Sequence, residues 1–336
     1  MRIKPTIIFD VKTPLDVLQE ALEAASSIFV LCDENTIQHC WPLLAETYPI
    51  LGNASLLEVP ASEESKDIKI AVGLWQSLLE QRADRKSLFI NLGGGVVCDL
   101  GGFVASTYKR GIAFINIPTS LLAMVDAGIG GKTGIDLDQN KNIIGTFSAA
   151  QYTFVDPFFL KTLAESELRS GFAEMIKHAL IKGDDHWKKI KAIKILNRLS
   201  IKDLIEPSLR IKEDVVLSDP LEQNERKKLN LGHSIAHALE SLFMNESSPL
   251  SHGDAVAHGL RAETRIAQQM GICSDEILAE VEELIQHFYG PLPSYTEDQL
   301  MPFLINDKKN QGKKLYFSLL RKPGEIALDV EVTSLG

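Results

Sequence analysis

Strand and helix patterns alternate only as far as residue 156, and that switch limits the folds open to the chain more than any single motif. Ile28–Cys32, Ser87–Leu92, Ala113–Ile117 and Tyr152–Asp156 are short apolar runs closed by turn residues, as strands buried on both faces should be. Pro14–Ala25, Glu64–Leu79 and Val96–Thr107 carry helical periodicity. Alternation of this kind predicts a parallel sheet covered on both faces, with ligands beyond the C-terminal ends of its strands. After Asp156 the helical pattern takes over, in Glu165–Ile181, His186–Leu196, Leu204–Leu217, Asn230–Phe243, Asp254–Met270 and Ser274–Phe288. Lys314–Leu320 and Glu325–Val330 flank Arg321-Lys-Pro-Gly and read as a terminal hairpin. At 336 residues the chain is about twice the ~150-residue prior for one domain. We therefore expect an α/β domain over residues 1–156 and a mostly α-helical domain over 157–336, firmly packed around a cleft.

Lysine and arginine number 35 and aspartate and glutamate 45, a net charge of −10. So acidic a chain is a poor general binder of nucleic acid or anionic membrane, though local basic pockets for small anions are compatible with it. Uncharged runs such as Gly111–Val125 fall short of the ~18 residues of a membrane span and contain Asn116 and Pro118. The opening Met-Arg-Ile-Lys-Pro lacks the apolar stretch of a secretion signal. Cys32, Cys40, Cys98 and Cys273 form no Cys-x-x-Cys pair, so a reduced, cytoplasmic protein is expected.

Two glycine-rich segments could meet phosphate. Asn91-Leu-Gly93-Gly94-Gly95-Val-Val-Cys98-Asp99 follows a strand and opens a helix, where bare backbone amides and the positive end of the helix dipole favour a diphosphate. It matches the dinucleotide fingerprint at Gly93 and Gly95, with Cys98 in place of the third glycine. A tight strand-to-helix turn without ligand accounts for the glycines equally well. Asp33-Glu34-Asn35, ending an earlier strand, is a candidate for a ribose or adenine. The second segment, Asp126-Ala-Gly128-Ile-Gly130-Gly131-Lys132-Thr133, fails the Walker pattern because Asp126 stands where its first glycine belongs. A glycine-rich loop bearing Lys132, followed by Lys141 and Asn142, can still cradle a single phosphate.

Four of the eight histidines, His233, His237, His252 and His258, fall in one short window. His233 and His237 are spaced i, i+4, so both rings leave one helix face, and Glu174 and His178 share the same spacing upstream. Two or three neutral imidazoles with a carboxylate suit a divalent transition metal such as zinc. Cations stand out in so acidic a chain: Arg110, Lys177, Lys212, Arg226, Lys308 and Lys309. Most such charges are solvated surface, but Lys177, three residues after Glu174, is well placed for an anionic substrate beside a metal.

Taken together, these segments resemble the 3-dehydroquinate synthase family from about Glu63 to Gly324. The resemblance rests on Gly93-Gly-Gly-Val-Val-Cys-Asp-Leu-Gly-Gly-Phe-Val-Ala-Ser-Thr-Tyr-Lys-Arg110-Gly, on Pro118-Thr-Ser-Leu-Leu-Ala-Met-Val-Asp126 running on to Gly-Gly-Lys132-Thr-Gly, and on Lys141-Asn-Ile-Ile-Gly. It continues in Ser170-Gly-Phe-Ala-Glu174-Met-Ile-Lys177, Asn230-Leu-Gly-His233-Ser-Ile-Ala-His237-Ala-Leu-Glu and His252-Gly-Asp-Ala-Val. It implies an α/β N-terminal Rossmann-like NAD-binding domain, a mostly α-helical C-terminal metal-binding domain and a homodimer. It further implies NAD+, one zinc or cobalt ion, and 3-deoxy-D-arabino-heptulosonate 7-phosphate as substrate. By motif position, Glu174, His233 and His252 are the implied metal ligands. Lys132, Asn142, Asn230 and His237 would hold the phosphate, with Arg110 reaching in from a neighbouring subunit. Lys212, Arg226 and one of Lys308 and Lys309 would hold the carboxylate, and Asp126, Lys177 and Glu222 the ring hydroxyls. The NAD+ segments would be Asp33–Asn35, Glu63 with Lys66, Gly94, Gly95 and Val96 with Asp99, Thr119 with Ser120, and Lys141.

The chain departs from the family pattern at Ser62 and Cys98, each standing for a glycine, at Asp254, standing for a glutamate, and at Ser148-Ala-Ala. None of these removes an implied metal ligand or anion-binding cation. A cyclase of a related sugar phosphate is the nearest rival, and Lys212, Arg226 and Asn230 favour an acid substrate over it. A metal-dependent alcohol dehydrogenase is a second, disfavoured because its ligand set begins with aspartate whereas Glu174 stands here. A degenerate, non-catalytic relative would need lost ligands, and none is missing.

Overall fold

The computed structural model describes residues 6–9, 15–137, 140–244, 249–291, 294–305 and 314–335. Two compact units divide the chain, Met1–Ala164 and Glu165–Gly336.

The first unit runs β1 (Ile7–Phe9), α1 (Leu15–Glu23), β2 (Ile28–Asp33), α2 (Glu34–His39), α3 (Trp41–Thr47), β3 (Ser55–Val59), α4 (Ile68–Glu80), β4 (Leu88–Gly93), α5 (Gly95–Thr107), β5 (Ala113–Pro118), β6 (Lys132–Leu137), β7 (Asn140–Phe147) and β8 (Tyr152–Val155). Among the described residues a six-stranded sheet has the order β1-β8-β5-β4-β2-β3, every pairing parallel. The central strands are apolar at nearly every position because helices cover both faces, and every residue of β4 is buried. Phe29, Leu31, Phe89 and Phe114 from the strands pack with Leu74 and Leu78 of α4 and Leu100 and Val104 of α5.

The helix read over Glu64–Leu79 divides into a short 3-10 turn, Glu63–Ser65, and α4, because Asp67 caps a new start through the Lys69 N–H at 2.7 Å. The glycine-rich segment expected as a loop is one only up to Gly131. Lys132 opens an antiparallel hairpin of β6 with β7. Gly134 and Gly145 face each other there, and a Cβ on Gly145 would lie 2.3 Å from the Thr133 carbonyl oxygen, so the strands approach closely only because both residues lack one.

The second unit runs α6 (Glu165–Lys182), α7 (Asp184–Lys191), α8 (Arg198–Ser218), α9 (His233–Phe243), α10 (His252–Gln269), α11 (Asp275–Tyr289), α12 (Glu297–Ile305), β9 (Leu315–Lys322) and β10 (Glu325–Val332). β9 and β10 form the expected antiparallel hairpin. Its turn docks on the end of α6, where the Gly324 N–H donates to the Leu180 carbonyl at 2.8 Å. From Ser170 to Ile181 helix α6 is buried on every side, although it carries Glu174, Lys177 and His178. Fully buried ionisable groups are expensive unless a function or a partner requires them. No helix among the described residues is long and apolar enough to cross a membrane.

Candidate functional site

Glycines set the close approach of three helices in the second unit. Gly253, in the first turn of α10, lies on α6 so tightly that a Cβ there would sit 2.2 Å from Ser170 Cα. Gly259 lies on the start of α9, where a Cβ would sit 2.0 Å from the Gly232 carbonyl oxygen. Gly232 takes φ +81, a left-handed conformation that suits glycine and turns the chain into α9. It has no side chain with which to cap that helix. The buried carboxylate of Glu263 on α10 does so from a distance, accepting from the N–H groups of Gly232 at 2.6 Å, Ser234 at 2.9 Å and Ile235 at 3.1 Å. Ser251 caps α10 through the Asp254 N–H at 3.1 Å. Asp254 is held by Arg169 at 3.0 Å and by the Ser251 hydroxyl at 2.6 Å.

These constraints deliver His233 at the head of α9 and His252 at the head of α10 to Glu174 in the middle of α6. Glu174 Oε1 lies 3.4 Å from His233 Nε2 and 3.6 Å from His252 Nε2. The three ligand atoms all lie within 4.8 Å of one another. Two ligands about 2.1 Å from a tetrahedral zinc ion would be about 3.4 Å apart, so the group needs little adjustment to share one ion. The Nδ1 of His233 is 3.2 Å from the Leu231 carbonyl oxygen. A carbonyl can only accept, so that nitrogen carries the proton and Nε2 keeps its lone pair for a metal.

Glu174 is fully buried, and neither of its oxygens accepts a hydrogen bond of good geometry. Lys177 Nζ approaches its Oε2 at 2.5 Å and His178 Nε2 lies 4.0 Å away. A carboxylate so placed calls for a cation. Burial opposes its ionisation, but the Lys177 ammonium together with the His233 and His252 rings outweighs burial and holds the carboxyl well below its ordinary range. His233 is pushed down to about 4 by burial and then by the Lys177 charge, so it is neutral at pH 7. Burial also disfavours a charged His252, but Glu240 and Glu174 on either side outweigh it and raise that ring to about 10. A metal would have to displace this proton.

The residues expected to bind anions fall into separate groups. Asp219 organises a loop by accepting from the N–H groups of Gln223 at 3.0 Å, Asn224 at 2.6 Å and Arg226 at 3.1 Å. Within it Arg226 is buried and donates to the Pro220 carbonyl at 2.7 Å, Glu222 takes φ +60, and the Asn230 amide donates to Glu222 at 3.1 Å. Lys212 is buried on α8, whereas His237 is exposed, its ring 5.5 Å from that of His233. Lys308 and Lys309 lie outside the described residues.

In the first unit, Gly94 and Gly95 start α5 with no side-chain cap, and Thr119 N–H donates to the Gly93 carbonyl at 3.0 Å. This brings Gly94, Gly95, Val96, Thr119 and Ser120 to the ends of neighbouring strands, with free helix amides for a phosphate. A Cβ on Gly94 would meet only Ser120, at 3.4 Å from its hydroxyl, so backbone approach from that side stays open. Gly93 answers to packing instead, since a Cβ there would lie 2.5 Å from Val97. Asp33 spends its carboxylate on capping α2 through the N–H groups of Asn35 at 3.0 Å and Thr36 at 2.8 Å. Ser62 caps the Glu63–Ser65 turn through the Glu64 N–H at 2.9 Å.

Lys66 is buried and lies 3.0 Å from Asp99 and 3.6 Å from Glu63, and it donates to the Asn142 side chain. Lys141 is 3.9 Å from Glu63. Asn142, expected with the substrate phosphate, thus joins the Glu63, Lys66, Asp99 and Lys141 group, with its backbone at φ +53. Arg110 and Lys132 are exposed, and Asp126 is half-buried in a π-helical turn, Ala123–Ala127. Sequence reasoning gave no role to Glu240, Glu263 or Asp219. Glu240 had a usable signal, because it follows His233 by seven residues and shares its helix face.

A family model described as the N-terminal part of 3-dehydroquinate synthase matches residues 56–170, and its C-terminal counterpart matches residues 171–310. A 3-dehydroquinate synthase of Parabacteroides distasonis is 38% identical over 334 residues, spanning 98% of this chain and 94% of that protein. In fold, the chain is similar to 2-deoxy-scyllo-inosose synthase crystallised with carbaglucose-6-phosphate, NAD+ and Co2+, with a TM-score of 0.84 at 22% identity, covering 97% of this chain and 93% of that one. An iron-containing alcohol dehydrogenase from Thermotoga maritima is more distant, with a TM-score of 0.60 at 16% identity and coverage of 93% and 94%.

Proposed function

The chain belongs to the 3-dehydroquinate synthase family, and we infer from that membership that it converts 3-deoxy-D-arabino-heptulosonate 7-phosphate into 3-dehydroquinate and phosphate, a carbon–oxygen lyase step of the shikimate pathway. The observation that carries the reading is the convergence of Glu174, His233 and His252, whose ligand atoms lie within 4.8 Å of one another around a fully buried carboxylate paired with Lys177. That donor set fits a divalent zinc or cobalt ion.

When bound, NAD+ would supply a reversible hydride acceptor for C5 of the substrate, and a divalent ion held by Glu174, His233 and His252 would supply Lewis acidity to adjacent hydroxyls. The remaining work is orientation and charge placement by the chain. Glu174, His233 and His252 hold the ion. Gly94, Gly95, Val96, Thr119 and Ser120 meet the cofactor diphosphate with backbone amides and hydroxyls, and Asp33, Asn35, Glu63, Lys66, Asp99 and Lys141 complete the nucleotide contacts. Lys132, Asn230 and His237 hold the substrate phosphate so that its oxygen can take the C6 proton as the ester leaves, while Asn142 stays with Lys66. Lys212 and Arg226, with Lys308 or Lys309, hold the carboxylate. Asp126, Lys177 and Glu222 fix the ring hydroxyls, which keeps the opened chain folded for the closing aldol step. Arg110 serves the phosphate of a second copy, which makes the working unit a homodimer. The four cysteines are buried and free, which suits a reducing cytoplasm.

The test is phosphate release from the heptulosonate phosphate before and after chelation. Activity should vanish with the metal, return with zinc or cobalt, and proceed with no net growth of the NADH band. Full activity in metal-free protein would refute the ion's role. Steady NADH accumulation, or preferential turnover of sedoheptulose 7-phosphate, would refute the assigned reaction.

A further inference from the structure

We propose that Glu240 is a positioning residue that orients His252, fixing which imidazole nitrogen is offered to a metal. The inference rests on the metal reading above and extends it to a residue given no role there. Glu240 lies on α9, one helix away from His252, and is buried. Its Oε1 lies 3.4 Å from His252 Nδ1, while His252 Nε2 faces Glu174 Oε1 at 3.6 Å. A carboxylate on the Nδ1 side accepts that proton and leaves the Nε2 lone pair for coordination.

The two histidines are oriented by different means. His233 has a backbone acceptor, the Leu231 carbonyl at 3.2 Å from Nδ1, supplied by the turn into its own helix. His252 stands at the first position of α10, and its Nδ1 points across to another helix. Among the described residues, Glu240 is the acceptor facing that nitrogen. The ring therefore relies on a side chain where His233 relies on backbone. Glu240 also brings a second carboxylate near the group, on the far side of the His252 ring from Glu174.

Three causes for an effect at position 240 can be separated. If Glu240 only fills space, the isosteric glutamine should behave as wild type. If only its charge matters, glutamine and alanine should be equally impaired. An orienting acceptor predicts a graded series, because the amide oxygen of Glu240→Gln still accepts from Nδ1 and Glu240→Ala offers nothing.

The experiment titrates metal-free full-length wild type, Glu240→Gln, Glu240→Ala and His252→Ala with Co2+, reading affinity by chelator competition and ligand geometry from the visible d–d bands. The expected result is about tenfold weaker binding for Glu240→Gln and about 100-fold for Glu240→Ala, with altered bands and unchanged melting of the metal-free proteins. Wild-type affinity and bands in both Glu240 variants, or equal losses in the two, would overturn the proposal while leaving the metal site standing. Failure of wild type to bind Co2+, or wild-type binding by His252→Ala, would overturn the metal reading and the proposal together. Should the variants not fold, 15N-histidine NMR of the zinc-loaded wild type decides. His252 with its proton on Nδ1 supports the proposal, and a proton on Nε2 overturns it.

Discussion

The carboxylate of Glu263 holds the Gly232 amide at 2.6 Å, so the helix that presents His233 is capped by the helix that presents His252. Replacing Glu263 by alanine would strip partners from three buried N–H groups. At about 1–3 kcal/mol for each buried donor left unsatisfied, stability should fall by at least ~3 kcal/mol in urea unfolding of the metal-free protein. A loss below ~1 kcal/mol would show that the cap is not needed.

Gly253→Ala attacks the same geometry from the other side. Its Cβ would fall 2.2 Å from Ser170 Cα, and only backbone movement could relieve that clash. The first turn of α10 would lift from α6 and carry His252 away from Glu174. We expect metal affinity to drop at least tenfold, read by chelator competition, even where the variant remains folded. Unchanged affinity would mean that His252 reaches Glu174 without this contact.

A buried histidine outside the metal group gives the protein a predicted acid sensitivity. His258 is pushed down to about 4, first by burial and then by the Arg261 charge, and its Nδ1 lies 3.3 Å from the Arg261 guanidinium, which can only donate. The unfolded ring titrates near 6.5. Between those values the unfolded chain binds a proton that the folded chain refuses. The contribution is therefore complete above pH 6.5 and lost as pH falls toward 4. His186, pushed down to about 4 chiefly by burial, acts with the same sign. Melting followed from pH 7 to pH 4.5 should show a shallower decline in His258→Gln, by on the order of 2 kcal/mol. Parallel curves for the two proteins would contradict this.

Lys66 neutralises a group of acids in the first unit that we assign to the nucleotide contacts. Burial disfavours its charge, but Asp99, Glu63 and Asp136 outweigh burial and raise its pKa. Lys66→Met would leave those carboxylates facing one another and release Asn142. NAD+ binding measured by calorimetry should weaken about tenfold, with a stability loss of ~3 kcal/mol. Retention of wild-type NAD+ affinity would remove Lys66 from the cofactor contacts.

The central strands were legible because burial on both faces leaves continuous apolar runs, as in Leu88–Gly93. β3, at the sheet edge, was not read, because Ser55 and Glu58 break up its apolar run. The β6–β7 hairpin hid behind glycines that the close strand approach requires but that also read as a loop. Glu174, His233 and His252 could be named beforehand only by motif position, since i, i+4 spacing pairs Glu174 with His178 and His233 with His237 and leaves His252 unpaired. Glu263 could not, since its function is to cap a helix far away in sequence, and capping by a remote carboxylate leaves no local pattern. Asp219 was hidden for a related reason, because its acceptors serve backbone amides of a loop with no periodicity.

The most direct test is an anomalous difference map at the zinc edge from crystals of the zinc-loaded protein. One strong peak is expected about 2.0–2.2 Å from a Glu174 carboxylate oxygen, His233 Nε2 and His252 Nε2 together. A strong peak elsewhere, or none near these three side chains in fully loaded crystals, would contradict the account.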